Sequence, residues 1–221
     1  ACLEYSAESG VHLKKLIGVE LDELSASVCE QVLNKYKSKL GLNVEIEIIV
    51  SDSLNILSSQ GELFERSFEP GTFIINPPYG KLKFDSDKLT NSETRLLVKG
   101  SHIDSKKANA FESQVKTRRA LNGLGVGKSG MEWSKIFLVL CSNNLVKGES
   151  LIFIGPCGWL NSVSQSEIRR HLFEGKMFSS IHFISESKTG FETVNQPLAI
   201  VCLDKGLKNL TRPVIKYECI Y

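Results

Sequence analysis

Residues Gly71–Tyr79 read GTFIINPPY, and this stretch holds the chain's one Pro-Pro pair. Residues 71–75 (GTFII) predict a strand, because short apolar runs bounded by turn residues are typical of strands in α/β proteins. Pro77 and Pro78 end that strand, since proline has no backbone N–H and forces the preceding residue into extended geometry. The stretch therefore predicts a strand that runs straight into a stiff turn at Asn76.

Further strands and helices alternate on both sides of this stretch. Helical spacing places Leu24, Val28, Val32 and Leu33 on one side of a helix. The remaining elements follow from periodicity and from Gly or Pro boundaries: helices at 1–9, 22–40, 132–144 and 164–173, and strands at 15–20, 44–50, 151–155, 179–184 and 197–203. The alternation predicts an α/β fold with a mainly parallel sheet. The last two strands lack an intervening helix, which predicts a C-terminal antiparallel hairpin.

Several polar residues come directly after predicted strands. They are Glu20, Asp52 and Asn76, and Pro156 holds the same position after a later strand. Ligands of open α/β sheets bind outside the carboxyl ends of the strands, so we expect these residues to lie on the same rim of the sheet and to be the candidates for a site.

The turn at Asn76 carries the sharpest chemical signal. The side-chain carbonyl of Asn76 and the backbone carbonyl of Pro77 are fixed acceptors that can hold the two hydrogens of an amino group. Tyr79 adds a flat aromatic face for a base taken out of its stack. A bare Asn-Pro-Pro is also compatible with a plain strand exit, since Asn-Pro marks turns. The preceding Phe73–Ile75 run and the two upstream acids favour the functional interpretation.

Asn76-Pro77-Pro78-Tyr79 resembles the NPPY motif of the N6-adenine DNA methyltransferases, which are class I, Rossmann-like enzymes that use S-adenosylmethionine. Gly18–Asp22 (GVELD) is similar to the family's second-strand motif, and Ser51–Leu54 (SDSL) to its third-strand motif. The resemblance implies that Glu20 binds the cofactor's ribose hydroxyls, that Leu21 lies against its adenine ring and that Asp52 binds its adenine amino group. Asn76 is implied as a further cofactor contact.

Two downstream segments extend the resemblance. Ser150–Leu160 (SLIFIGPCGWL) is similar to the family's fifth-strand motif, where packing is the expected role of Trp159. Gly190–Ile200 is similar to the segment that leads into the last strand. There the resemblance implies that Phe191 and Tyr79 sandwich the flipped base, whereas an alternative interpretation makes Phe191 a core residue beside a strand.

The activity implied by this resemblance is methyl transfer from S-adenosylmethionine to N6 of adenine in double-stranded DNA that carries a flipped adenine, in restriction–modification. Asn76, Pro77, Pro78 and Tyr79 would be the catalytic residues, and a restriction or specificity subunit or domain would be a partner. Transfer is expected to be direct, because an exocyclic amine is itself a nucleophile. No nucleophilic cysteine is therefore expected.

Positive charge concentrates in one part of the chain. Between Lys81 and Lys135 there are 12 Lys and Arg against six Asp and Glu, although the whole chain carries a net charge of only +2. Residues 81–130 show no regular period, which favours a basic insertion or mobile loop suited to a phosphate backbone. A solvated surface insertion is the alternative.

We expect residues 1–205 to form part of a catalytic domain and residues 206–221 to be the start of a linker. The family's first strand and its glycine-rich loop would precede residue 1, and a target-recognition domain would follow the linker. We expect a piece without them to bind cofactor weakly and to be inactive by itself.

Composition excludes several classes of protein. None of the six cysteines forms a CxxC pair and no histidine stands at zinc-ligand spacing, so we expect free thiols and no metal. No run of 18 apolar residues and no signal-peptide pattern occurs, which favours a cytoplasmic protein without a membrane partner.

Three other functions stay open at this level. A methyltransferase of the same fold could act on RNA or on a protein glutamine, since NPPY also occurs in glutamine-modifying relatives. A non-catalytic methyltransferase-like subunit would fit the lack of a first motif. A nicotinamide-binding Rossmann protein also predicts an acid at Glu20, but gives no reason for the Asn76–Tyr79 turn.

Overall fold

The computed structural model describes residues 2–58, 71–79, 117, 120–124, 132–175, 178–184, 197–206 and 217–220. The chain divides into two compact units, Ala1–Ile56 and Leu57–Tyr221, and each is described by itself. The predicted boundaries at 205 and 206 stay predictions. The predicted insertion at 81–130 lies outside the described residues except for 117 and 120–124.

The first unit is a two-stranded parallel sheet with its helices. Its elements are α1 (Cys2–Ser9), β1 (Lys15–Glu20), α2 (Glu23–Lys39) and β2 (Glu45–Val50), followed by α3 (Ser53–Ser58), which crosses the unit boundary. The register pairs Lys15 with Glu45 and Glu20 with Val50. The Lys15 ammonium contacts the carboxylates of Glu45 and Glu47 at 2.6 and 2.8 Å, which favours this register.

Helix α2 exposes most of the apolar side that its periodicity defines. Leu24, Val28 and Val32 are 74%, 53% and 46% exposed, whereas Ala26 is buried and Leu33 is half-buried. Periodicity identifies an apolar stripe but does not determine how much of it the neighbouring elements cover.

The second unit is a five-stranded sheet in the order β3-β4-β6-β5-β7. Its strands are β3 (Thr72–Ile75), β4 (Ser150–Pro156), β5 (Phe178–Ile184), β6 (Leu198–Asp204) and β7 (Tyr217–Ile220). β3 is parallel to β4 and β5 is parallel to β7, whereas β6 is antiparallel to both β4 and β5. The β5–β6 pair is the predicted antiparallel hairpin, and β7, which the sequence analysis does not predict, adds to its outer edge.

Three helical segments of this unit lie between its strands, and residues 117 and 120–123 are also helical. The three segments are α4 (Trp133–Asn144), α5 (Gly158–Asn161) and α6 (Ser166–Glu174), with a single 3₁₀ turn at Val163–Gln165 before α6. Helix α4 packs on β4 and on α6. The core consists of fully buried side chains from these elements: Leu138, Cys141, Leu151, Leu172, Leu198, Ala199, Val201 and Leu203. None of the helices described is long and apolar enough to cross a lipid bilayer.

Candidate active site

One edge of the five-stranded sheet gathers the ends of several strands. Ile75, the last residue of β3, pairs with Phe153 of β4, so both strands leave the sheet at the same edge. Leu198, the first residue of β6, pairs with Pro156 and with Ile184, the last residues of β4 and β5. We call this edge the carboxyl rim. Because parallel strands end there together, residues distant in sequence become neighbours.

The Asn76–Tyr79 turn lies on the carboxyl rim. Pro77 is buried, Asn76 and Pro78 are exposed, and Tyr79 is half-buried. The Tyr79 hydroxyl donates a hydrogen bond to Oδ1 of Asn76 at 2.8 Å. The prolines thus anchor the turn while the asparagine amide and the tyrosine ring are held together at the surface.

Tyr79 is a neutral hydrogen-bond donor in this position. Burial of its ring raises the pKa of the phenol above its ordinary value. Because an amide oxygen has two lone pairs, Oδ1 of Asn76 keeps one acceptor position besides the bond from Tyr79. The turn can therefore orient an amino group beside an aromatic face.

The acidic candidates Glu20 and Asp52 come together at the carboxyl edge of the β1–β2 sheet. The backbone N–H of Ser51 donates to the carbonyl of Glu20 at 2.9 Å, which continues the strand pairing one residue beyond β2. Asp52 follows directly and is half-buried, and its Oδ1 accepts from the Leu54 N–H at 2.9 Å. Parallel pairing thus places the two carboxylates at one edge, as the sequence predicts.

Glu20 has one oxygen tied to the backbone. Its Oε1 accepts from the N–H groups of Leu21 and Asp22 at 2.8 and 3.1 Å, which fixes the carboxylate at the start of α2. Leu21 is 71% exposed and offers an apolar surface next to that carboxylate. A carboxylate beside an exposed leucine is chemically suited to a vicinal diol attached to a flat ring. The binding roles of Glu20, Leu21, Asp52 and Asn76 stay predictions.

Cys157 is on the carboxyl rim but is poorly suited to nucleophilic chemistry. Burial raises the pKa of its thiol above the ordinary value, and the same cause raises the pKa of Cys141 strongly. Within the described residues, no three His, Cys, Asp or Glu side chains cluster in a way that could hold a metal ion.

The segment after β4 contains a feature that the sequence analysis missed. We call residues 158–165 the shelf, which comprises α5 and the 3₁₀ turn. Nη1 of Arg169, on α6, donates to the carbonyls of Trp159 and Ser162, both at 2.6 Å. Periodicity gives no sign of this role, because it depends on how the shelf folds back onto the helix.

Buried aromatic rings pack against one another beneath the exposed surface of the shelf. Trp159 is 2% exposed and stacks on Phe178 with ring centroids 6.4 Å apart, and Phe178 in turn contacts Phe173. This packing agrees with the role expected for Trp159. Phe191, the predicted second face of the base sandwich, lies outside the described residues, and its role stays a prediction.

A cleft of about 530 Å³ lies at the opposite edge of the sheet. His171, Glu174 and Lys205 are among its lining residues, and Lys205 follows the end of β6 that pairs with the start of β4. Nε2 of His171 is buried and has no hydrogen-bond partner among the described residues. Because its lining includes none of the predicted site residues, this cleft is not the candidate active site.

No protein-family model matches the chain, and no curated protein matches it. Solved structures do match. A proposed class I S-adenosylmethionine-dependent methyltransferase from Listeria monocytogenes is 14% identical, with a TM-score of 0.55 over 97% of this chain and 52% of that chain. The ATP-dependent Type ISP restriction-modification enzyme LlaBIII, bound to DNA, is 14% identical, with a TM-score of 0.59 over 99% of this chain and 16% of that chain.

A third match is a nuclease-deletion mutant of the Type ISP restriction-modification enzyme LlaGI in complex with a DNA substrate mimic. It is 14% identical, with a TM-score of 0.60 over 99% of this chain and 23% of that chain. The chain thus spans about half of the Listeria protein and a smaller part of the restriction–modification enzymes. The mixed α/β structure of this chain resembles the class I S-adenosylmethionine-dependent methyltransferase fold.

Proposed function

We propose that this chain is the catalytic part of an S-adenosylmethionine-dependent methyltransferase that modifies N6 of adenine in DNA, in a restriction–modification system. The observation that carries this proposal is the 2.8 Å hydrogen bond between the Tyr79 hydroxyl and Oδ1 of Asn76, at the carboxyl rim. It joins an amide acceptor and an aromatic face in one proline-stiffened turn. A segment that only ended a strand would not need an amide acceptor held beside an aromatic ring.

The turn's part in the reaction is to orient the substrate. The free lone pair of Asn76 Oδ1 and the carbonyl of Pro77 accept hydrogen bonds from the two amino hydrogens. These bonds leave the nitrogen lone pair directed away from the turn and raise its electron density. Catalysis then depends on positioning and electrostatics, without a covalent enzyme intermediate.

The residues at the β1–β2 edge fit the cofactor that the fold implies. Glu20 is suited to the ribose hydroxyls, Leu21 to the adenine ring and Asp52 to the adenine amino group. When bound, S-adenosylmethionine supplies an electrophilic methyl group on a sulfonium centre. The contribution proposed for Glu20, Leu21 and Asp52 is to bind the nucleoside part of the cofactor.

Two observations support DNA as the proposed substrate. Two matching enzymes, LlaBIII and LlaGI, are Type ISP restriction-modification enzymes solved with DNA or a DNA mimic. The excess of basic residues between Lys81 and Lys135 suits a phosphate backbone. We propose that adenine, rather than a protein glutamine, takes the position beside Tyr79, with Phe191 on its other face.

The test is methyl transfer from labelled S-adenosylmethionine by the complete protein to DNA, RNA and protein in parallel. We expect label in DNA, as N6-methyladenine after digestion to nucleosides. Asn76→Ala should lower the rate about 100-fold or more, because removing one preorganised polar contact to the reacting group typically costs that much.

Asn143→Ala is the matched control, since Asn143 lines the cleft at the opposite edge of the same sheet. It should keep wild-type activity. Label found only in RNA or in protein glutamine would replace the proposed substrate. Wild-type rates in Asn76→Ala would remove the proposed site, and absence of any transfer by wild-type protein would favour a non-catalytic subunit.

A further inference from the structure

The shelf, residues 158–165, follows the strand next to the one that leads into the candidate active site. It continues from β4, and the Asn76–Tyr79 turn continues from β3, which is the parallel neighbour of β4. Both segments therefore leave the sheet at the carboxyl rim from adjacent strands. A substrate large enough to extend beyond the turn along this rim meets the shelf.

The shelf is held firmly from the inside. Arg169 bonds the carbonyls of Trp159 and Ser162, which lie in the two halves of the shelf. Trp159 and Gln165 are 2% and 4% exposed, so both ends are buried. Hydrogen bonds from a charged donor are among the stronger ones in proteins, and two of them from a single nitrogen fix the backbone between these ends.

The outer surface of the shelf is unusual for a solvent-exposed loop. Val163 is 87% exposed, more than any other large apolar side chain among the described residues. Ser162 and Ser164 flank it, and their hydroxyls lie 2.8 Å apart. The sequence GWLNSVSQ contains no acidic residue that would repel a phosphate. A β-branched side chain has few rotamers, so a valine on a fixed backbone loses little entropy on contact.

We propose that the shelf is a second substrate contact, in which Arg169 fixes the backbone and Val163 enters the DNA duplex next to the extruded base. Proteins that distort duplexes insert apolar side chains between bases, and such contacts offset the cost of unstacking. Arg169 is a positioning residue in this arrangement, since it acts through the shelf. The inference rests on the proposed DNA methyltransferase activity.

The test compares Val163→Ala on two duplexes, one fully paired and one in which the target adenine is mispaired. A mispaired base is easier to extrude, so it needs less help from an inserted side chain. We expect kcat/KM to fall about tenfold on the paired duplex, as for the loss of two buried carbon atoms, and less than about threefold on the mispaired duplex. KM for S-adenosylmethionine should change by less than about twofold, because the contact is to DNA.

Four further variants separate the contact from general effects on the fold. Val163→Asp should raise KM for DNA, whereas Val146→Asp, placed just before β4 at the opposite end of the strand and 37% exposed, should not. Arg169→Met should lower kcat/KM more on the paired duplex than on the mispaired one, as Val163→Ala does. Arg169→Lys should lose less activity on the paired duplex than Arg169→Met.

Equal losses on both duplexes in Val163→Ala and Arg169→Met would overturn the proposal, as would wild-type kinetics in Val163→Asp. Failure of the proposed function is a separate result, because the wild-type protein would then transfer no methyl group to either duplex.

Discussion

At the level of single residues, the Tyr79–Asn76 hydrogen bond is the most informative contact. It spans three positions in sequence, and Pro77 and Pro78 between the partners leave the turn little freedom to separate them. Tyr79 thus has two separable functions, a hydroxyl that holds the Asn76 amide and a ring that offers a stacking face. Substitutions can remove them one at a time.

Tyr79→Phe keeps the ring and removes the hydroxyl. We expect methyl transfer to fall by no more than about tenfold, since a single neutral hydrogen bond contributes about 1 kcal/mol. Tyr79→Ala removes the stacking face as well and should lower transfer by about 100-fold, because base stacking on an aromatic side chain contributes about 1–3 kcal/mol. Single-turnover methyl transfer to DNA measures both effects.

The ratio of the methyl-transfer rates of Tyr79→Phe and Tyr79→Ala decides the role of the ring. Equal activity in Tyr79→Phe and Tyr79→Ala would contradict stacking and leave the hydroxyl as the functional group. Thermal unfolding of both variants controls for damage to the turn.

At the level of elements, strand β6 and helix α2 show how unevenly the apolar residues are buried. β6 lies between β4 and β5, and Leu198, Ala199, Val201 and Leu203 are fully buried. Helix α2 exposes most of the apolar stripe that its periodicity defines. The core that the described residues form is thus concentrated around β6.

Leu203→Ala and Leu24→Ala should therefore differ in stability although they remove the same atoms. For Leu203, which is fully buried, we expect a loss of about 2–5 kcal/mol in the free energy of unfolding. For Leu24, which is 74% exposed, we expect a change within about 0.5 kcal/mol. Urea unfolding followed by circular dichroism measures both.

A large loss in Leu24→Ala would show that α2 is covered in solution and would contradict the exposed stripe. A small loss in Leu203→Ala would contradict the position of the core.

At the level of the whole molecule, the second unit has a cleft whose lining residues differ from those of the proposed chemistry. The carboxyl rim holds Asn76–Tyr79 and the shelf, whereas His171, Glu174 and Lys205 line the cleft at the other edge. Changes in that cleft are expected to alter stability without altering the reaction.

His171 makes the free energy of unfolding depend on pH. Burial is the main cause that lowers the pKa of its imidazole, and Lys205 lowers it further, although Glu174 acts in the opposite direction. The unfolded chain therefore binds a proton more readily than the folded one, and stability falls as the pH drops below the ordinary histidine pKa of about 6.5. In His171→Gln, which cannot titrate, the melting temperature should fall less between pH 7.5 and pH 5.5.

Melting curves of the wild type and of His171→Gln across this pH range are the measurement, and their difference removes the titration of other groups. If the melting temperatures of both proteins fell equally between pH 7.5 and pH 5.5, the proposed effect of His171 on stability would be contradicted. Methyl transfer at pH 7.5 should be unchanged in the variant.

The local sequence by itself determined the strand β1, the helix α2 and the end of β3 before its prolines. Each depends on residues within a few positions of one another: the apolar run before Glu20, the helical spacing that ends near Gly41, and the prolines after Asn76. The meeting of Glu20 with Asp52 was also predictable, because parallel neighbouring strands end at the same edge of a sheet.

Only the tertiary structure decided which apolar stripe of α2 is buried, where β7 pairs and what Arg169 holds. The guanidinium of Arg169 reaches carbonyls seven and ten positions earlier in the chain, and only because the shelf folds back onto α6. His171 is half-buried through the packing of α6. Such contacts depend on the relative placement of whole elements, which periodicity and local propensity do not encode.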